Sequence, residues 1–145
     1  IAWNLDIDTK RIQFINGMAA NDPVSTLQIW KFLIDRYPAD GGTCVFFNSR
    51  DDRPLRTRQM IELTLKEIKP DHFIVRGDKV DGTIQRLLHY SSKTNVQTIG
   101  LESALDNVVS LMTDLPHDTL IYAIGNQVGA GQYILEKISK YHHHG

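Results

Sequence analysis

The sequence predicts a three-layer α/β fold with a mostly parallel sheet, helices on both faces and an N-terminal hairpin at one sheet edge. Three observations carry this. After an opening pair of strands, strand-like runs alternate with helix-like amphipathic stretches five times, the pattern of right-handed crossovers onto a parallel sheet. The stretch Thr43-Cys44-Val45-Phe46-Phe47 is a continuous apolar run, as suits a central parallel strand buried on both faces. Four of the five parallel strand ends empty into polar or glycine-rich loops, and ligands of open α/β sheets bind beyond those ends. Together these make the domain Rossmann-like.

The totals fit one such domain. The chain has 145 residues, 41% apolar and 23% charged, enough to bury a sizeable core. A net charge of −1 leaves no basic footprint for nucleic acid. No apolar run approaches a membrane span, and no signal peptide is visible. Cys44 is the single cysteine, so no internal disulfide can form, and its apolar setting reads as core. Residues 1–141 are taken as the domain, and His142-His143-His144-Gly145 as a tag remnant or frayed tail.

Along the chain, Trp3, Leu5 and Ile7 alternate with Asn4, Asp6 and Asp8, the period of a half-exposed strand. Asp8-Thr9-Lys10 turns it back into Arg11-Ile12-Gln13-Phe14-Ile15. Gly17, Ala19 and Ala20 then form a small-residue loop that lets a ligand or another backbone come close. Asp22 is a favoured N-cap and Pro23 suits the first helical position. Leu27, Trp30, Leu33, Ile34 and Tyr37 recur at helical spacing, giving a helix over Asn21–Tyr37.

Beyond strand Thr43–Phe47, a helix spans about Pro54–Ile68, carrying Leu55, Ile61, Leu65 and Ile68. His72–Val75 is a strand, Thr83–Tyr90 a helix and Val96–Ile99 a short strand. Leu101–Met112 is helical, Thr119–Ile124 is the last strand and Gln132–Lys140 the last helix.

The chemistry-bearing segments lie at the strand ends. Asn48-Ser49-Arg50-Asp51-Asp52-Arg53 offers two guanidinium groups and two carboxylates, and Arg56 and Arg58 continue the charge. The planar Arg fork is well suited to carboxylate or phosphate. A solvated loop with internal Arg–Asp pairs is the alternative. In Gly125-Asn126-Gln127-Val128-Gly129-Ala130-Gly131 the glycine spacing is not that of a dinucleotide fingerprint. The run does place backbone N–H groups at a helix start, able to take an anion. No P-loop, Ser–His–Asp order or metal-ligand spacing occurs anywhere.

Asn16, the run Ala19-Ala20-Asn21-Asp22-Pro23 and Ser25-Thr26 resemble the segment that opens the C-terminal domain of the Mur ligase superfamily. They are most similar to the ATP-dependent poly-γ-glutamate synthases of capsule biosynthesis. The peptidoglycan ligases usually carry Asp where this chain has Asn16, so no charge role is carried over to it. The resemblance implies the C-terminal, closing domain of an ATP-dependent amide ligase. Such a ligase activates a carboxylate as an acyl phosphate and couples it to glutamate through γ-linkages.

The resemblance further implies that ATP and Mg2+ are bound mainly by a central ATPase domain of the same chain, absent here, and that the fragment alone is inactive. Asn16, Asn21, Asp22, Ser25 and Thr26 would face the nucleotide. Arg50, Arg53, Asn126, Gly129 and Gly131 would hold glutamate or the growing poly-γ-glutamate. Catalytic residues are expected outside this stretch. Membrane subunits of a synthase complex, and a cytoplasmic location at the inner face of the membrane, are implied in the same way. The alternative reading is a stand-alone α/β module that binds a nucleotide or phosphate and regulates a partner.

Overall fold

The computed structural model describes residues 2–20 and 22–142. Six strands form one sheet in the order β1-β2-β6-β3-β4-β5. They are β1 (Ala2–Ile7), β2 (Lys10–Asn16), β3 (Thr43–Asn48), β4 (His72–Arg76), β5 (Asn95–Ile99) and β6 (Leu120–Gly125). β1 and β2 are the antiparallel edge hairpin, and every other pairing is parallel. The hairpin turns at Asp8, whose φ of 55° is the left-handed conformation that Asp tolerates. Trp3 sits opposite Phe14 and stacks on it at 5.7 Å, a cross-strand pair that fixes the register.

The helices are α1 (Pro23–Arg36), α2 (Pro54–Leu63), α3 (Asp81–Leu87), α4 (Leu105–Thr113) and α5 (Ala130–Ser139). Strand side chains alternate between the two faces. Cys44 and Phe46 of β3, with Ile121 and Ala123 of β6, join Val108, Met112, Ile134 and Ile138 of α4 and α5. Val45, Phe47, Tyr122 and Ile124 join Trp30, Leu33, Met60 and Ile84 of α1, α2 and α3 on the other face. Burial pushes the Cys44 thiol above its ordinary pKa, so it stays neutral in the core. No helix among the described residues is long and apolar enough to cross a membrane.

Several boundaries differ from the sequence reading. β3, β4 and β6 each run one residue further, to Asn48, Arg76 and Gly125, because each still pairs with its neighbour. α4 begins at Leu105 rather than Leu101, since Ser103 N–H bonds back to the Gly100 carbonyl at 3.2 Å and closes a turn first. α2 passes into a π-helical turn at Thr64–Ile68, which ends where Lys69 adopts φ 51°. On α1 the buried stripe centres on Thr26, Trp30 and Leu33, which leaves Ile34 at its margin and 42% exposed. Leu55 is also exposed, at the first turn of α2. His142, assigned to the tail, forms a bridge with Leu5. Asn21 and the remainder of the tail lie outside the described residues.

Candidate functional site

The connection out of β3 runs to α2 on one face of the sheet, whereas the connection out of β6 runs to α5 on the other. The carboxyl ends of these adjacent strands therefore diverge, and such a switch point opens a crevice. One row of residues crosses the sheet there. Gly125 is level with Asn48, Asn48 with Arg76, and Arg76 with Ile99.

Because Asn48 and Arg76 are register partners, their side chains stand on the same face. Arg76 Nη1 donates to Asn48 Oδ1 at 3.0 Å, and Asn48 Nδ2 donates to the Asn126 carbonyl at 2.8 Å. The Asn126 N–H returns a bond to the Asn48 carbonyl, also 2.8 Å. Asn48 is only 1% exposed, and a buried carboxamide with both ends satisfied holds a single orientation. Ser49 closes the next link, its N–H and Oγ both donating to the Arg76 carbonyl, at 3.0 and 2.9 Å.

Two openings flank this row. On the α2 side a cleft of about 150 Å³ is lined by Ala20, Asn48, Arg50, Arg53, Arg56 and Asn126, among others. On the α5 side a wider one of about 450 Å³ takes in Asn48, Arg50, Asp51, Arg76, Leu101 and Asn126. Arg50 is locked onto Asp52 by two parallel bonds, Nε to Oδ1 at 3.0 Å and Nη2 to Oδ2 at 2.8 Å. The internal Arg–Asp pair left open by the sequence is thus present, and it holds the Asp52 carboxyl below the usual range. Arg53 is exposed, caps α2 without a side-chain bond, and is followed by Pro54 at the first helical position.

The loop between β6 and α5 is shaped by its glycines. Gly125 has φ 101° and packs so closely on β3 that a Cβ would lie 2.3 Å from the Asn48 carbonyl oxygen. Gly131 is buried, and a Cβ there would lie 2.3 Å from the Asn126 carbonyl oxygen. Gly129, the N-cap of α5, has φ 70° and open space around it. Asn126 folds its carboxamide onto Val128, with Oδ1 taking the Val128 N–H at 3.3 Å.

The β2–α1 junction borders the first cleft through Ala20. Asn16 makes a local turn, its Oδ1 accepting the Met18 N–H at 3.0 Å. Asp22 caps α1 and accepts both the N–H and the hydroxyl of Ser25, at 2.8 and 2.9 Å. The Ser25 N–H holds its carboxyl below the ordinary value, with the Ser25 hydroxyl and the positive charge of Arg56 acting in the same direction. Thr26 is fully buried, and its carbonyl accepts the Tyr122 hydroxyl at 3.0 Å. Of the residues singled out from sequence, Arg50, Arg53 and Asn126 line one cleft. Asn16, Asp22 and Ser25 are used in the adjoining turn and cap, and Thr26 lies beneath them in the core. Asn48, Arg56 and Arg76 fall in or beside the polar strand exits that the sequence marks, but the sequence assigns none of them a role. The signal available for Asn48 and Arg76 was a polar residue closing an apolar strand, and it needed the register to give it meaning.

The profile of the poly-gamma-glutamate synthase CapB C-terminal domain family matches residues 3–141. The chain belongs to that family. The chain is 33% identical over 131 residues to the PGA synthase CapB of Bacillus subtilis (strain 168), covering 88% of the chain and 33% of that protein. It is 31% identical over 134 residues to the capsule biosynthesis protein CapB of Bacillus anthracis, covering 90% of the chain and 28% of that protein. The chain thus spans about a third of the length of these curated relatives.

Proposed function

We propose that this domain is the substrate-binding, closing part of an ATP-dependent amide ligase that extends poly-γ-glutamate. The observation that carries the reading is the gathering of Arg50, Arg53 and Arg56 in one cleft at the switch point of the sheet. An arginine fork matches a carboxylate, and glutamate presents two. Family membership and the names of the two relatives support the same substrate class.

On this reading a chain-end carboxylate attacks the terminal phosphorus of ATP, the bond to the bridging oxygen breaks, ADP leaves and the carboxylate becomes an acyl phosphate. The glutamate amine then attacks the acyl carbon, phosphate leaves, and the amine proton passes to solvent. The domain's share is to orient the glutamate and to close over the acyl phosphate against water. Arg53, and the N–H groups that Arg50 keeps free beside its Asp52 pair, hold glutamate carboxylates, with Asn126 as the opposite wall. Gly129 and Gly131 line neither opening and act by shaping the loop that carries Asn126. Asn16 and the Asp22–Ser25 cap stand on the nucleotide side, with Thr26 supporting the cap from below; the resemblance assigns Asn21, outside the described residues, the same role.

The described residues contain no cluster of three or more His, Cys, Asp or Glu side chains that could hold a metal ion. With no P-loop in the sequence, they do not fit a magnesium–triphosphate site. That site is assigned to the remainder of a longer chain. A membrane-associated assembly would likewise be reached through partners.

The test is the full-length synthase carrying Arg53→Ala, and separately Arg50→Ala. Each is expected to raise the KM for glutamate about tenfold, the value of one charge-assisted hydrogen bond. Glutamate-dependent ADP release with an unchanged KM in both variants would overturn the assignment. The three-arginine cleft also suits a lone phosphate group, as a regulatory module would need. Tight phosphate or nucleotide binding by the domain alone would favour that second reading.

A further inference from the structure

The two openings at the switch point share a wall. Asn48, Arg50 and Asn126 line both, whereas Arg53 and Arg56 face only the first and Arg76 only the second. Two arginines on one side and one on the other therefore flank a rigid, doubly hydrogen-bonded Asn48–Asn126 link.

Arg76 is unusual among the charged groups here. It is half-buried, and desolvation alone moves its pKa, downward, with no carboxylate opposing the shift. Its partners are neutral: Asn48 Oδ1 at 3.0 Å and the Leu101 carbonyl at 3.5 Å, the outer limit of a hydrogen bond. Its Nε is covered and has no partner among the described residues. A guanidinium that is partly desolvated and given no counter-charge is held ready for an anion. Asp51 and Asp52 border the same opening, but Asp52 is taken by Arg50.

We propose that Arg76, aimed by Asn48, forms a second carboxylate subsite that reads the α-carboxylate of a neighbouring glutamyl unit. This rests on the reading of the domain as part of a poly-γ-glutamate ligase. A γ-linked chain keeps one free α-carboxylate on every residue, so a chain end and an incoming glutamate bring several anions to one place. Two openings separated by one side chain, each with an arginine of its own, suit that spacing, whereas a single amino acid needs one. Asn48 is a positioning residue here, since its carboxamide oxygen orients the guanidinium and its amide nitrogen fixes the wall between the compartments.

The test is calorimetric titration of the full-length synthase with glutamate and, separately, with the dipeptide γ-glutamylglutamate. Arg76→Met is expected to weaken the dipeptide about tenfold or more while leaving glutamate within about twofold, as loss of one charge-assisted bond requires. Arg53→Ala is expected to weaken glutamate itself. Asn48→Ala, with unchanged circular dichroism, should weaken the dipeptide in the same sense as Arg76→Met, and Arg76→Lys should restore part of the affinity. Dipeptide binding that is absent, or indifferent to Arg76→Met, or weakened only in step with glutamate, would overturn the proposal. Dipeptide binding that depends on Arg76 in an enzyme whose ADP release ignores glutamate would keep the subsite and overturn the ligase reading.

Discussion

Asp71 shows how one carboxylate ties two strands together. Its Oδ2 accepts the Thr43 N–H at 2.9 Å and the Thr43 hydroxyl at 3.3 Å, while its own N–H donates to the Thr43 oxygen at 3.2 Å. Lys93 Nζ stands 3.5 Å from the other oxygen. The Thr43 N–H is the main reason the Asp71 carboxyl is held below the usual range, with Lys93 adding to it and partial burial opposing it. A carboxyl whose folded pKa is depressed stabilises the fold fully above its unfolded value, and that contribution drains away as pH falls through the folded one. Asp71→Ala should therefore lower Tm at neutral pH, and the gap from the natural protein should shrink as acidification passes below the ordinary carboxylate range. A gap that stays constant with pH would show that the charge is idle.

Among the elements, the β6–α5 loop is tightly constrained at both of its ends. Gly131→Ala would place a methyl group 2.3 Å from the Asn126 carbonyl oxygen, a backbone atom that cannot swing aside. The expected cost is about 1–3 kcal/mol of stability, and the displaced Asn126 should weaken glutamate binding as well. Chemical denaturation together with calorimetry would check both, and an unperturbed variant would show that the loop yields. This loop also marks how far sequence reasoning reaches. Glycines and Asn at a strand exit made it a candidate, and the Asp22–Pro23 cap and the apolar run of β3 placed their elements to within two residues. The role of Asn48 was not legible, because it depends on which strand lies beside which. β6 inserts between β2 and β3, and nothing local to residues 43–48 announces that neighbour. Ile34 and Leu55 were misjudged for a related reason: helical spacing gives a stripe, but the partner surface decides its width.

The whole molecule has one sheet with a core on each face, and every strand takes part in both cores or closes an edge. The domain alone should therefore fold and unfold in a single transition, yet release no ADP in response to glutamate, since it lacks a P-loop and the described residues offer no metal cluster. Measurable glutamate-dependent release by the pure domain would contradict this.

The hairpin edge has a mechanical consequence. The Asp6 N–H bonds to the Tyr141 carbonyl at 2.9 Å, and Leu5 bridges to His142, so the two ends of the described chain are latched to each other across β1. A pull applied at both ends would load that latch and the β1–β2 rungs first. The β3–β6–β4 ends that carry Asn48, Gly125 and Arg76 lie outside the line of force. Strain transmitted from anything tethered to this domain would then turn it as a unit about one edge, leaving the spacing of its two anion compartments undistorted.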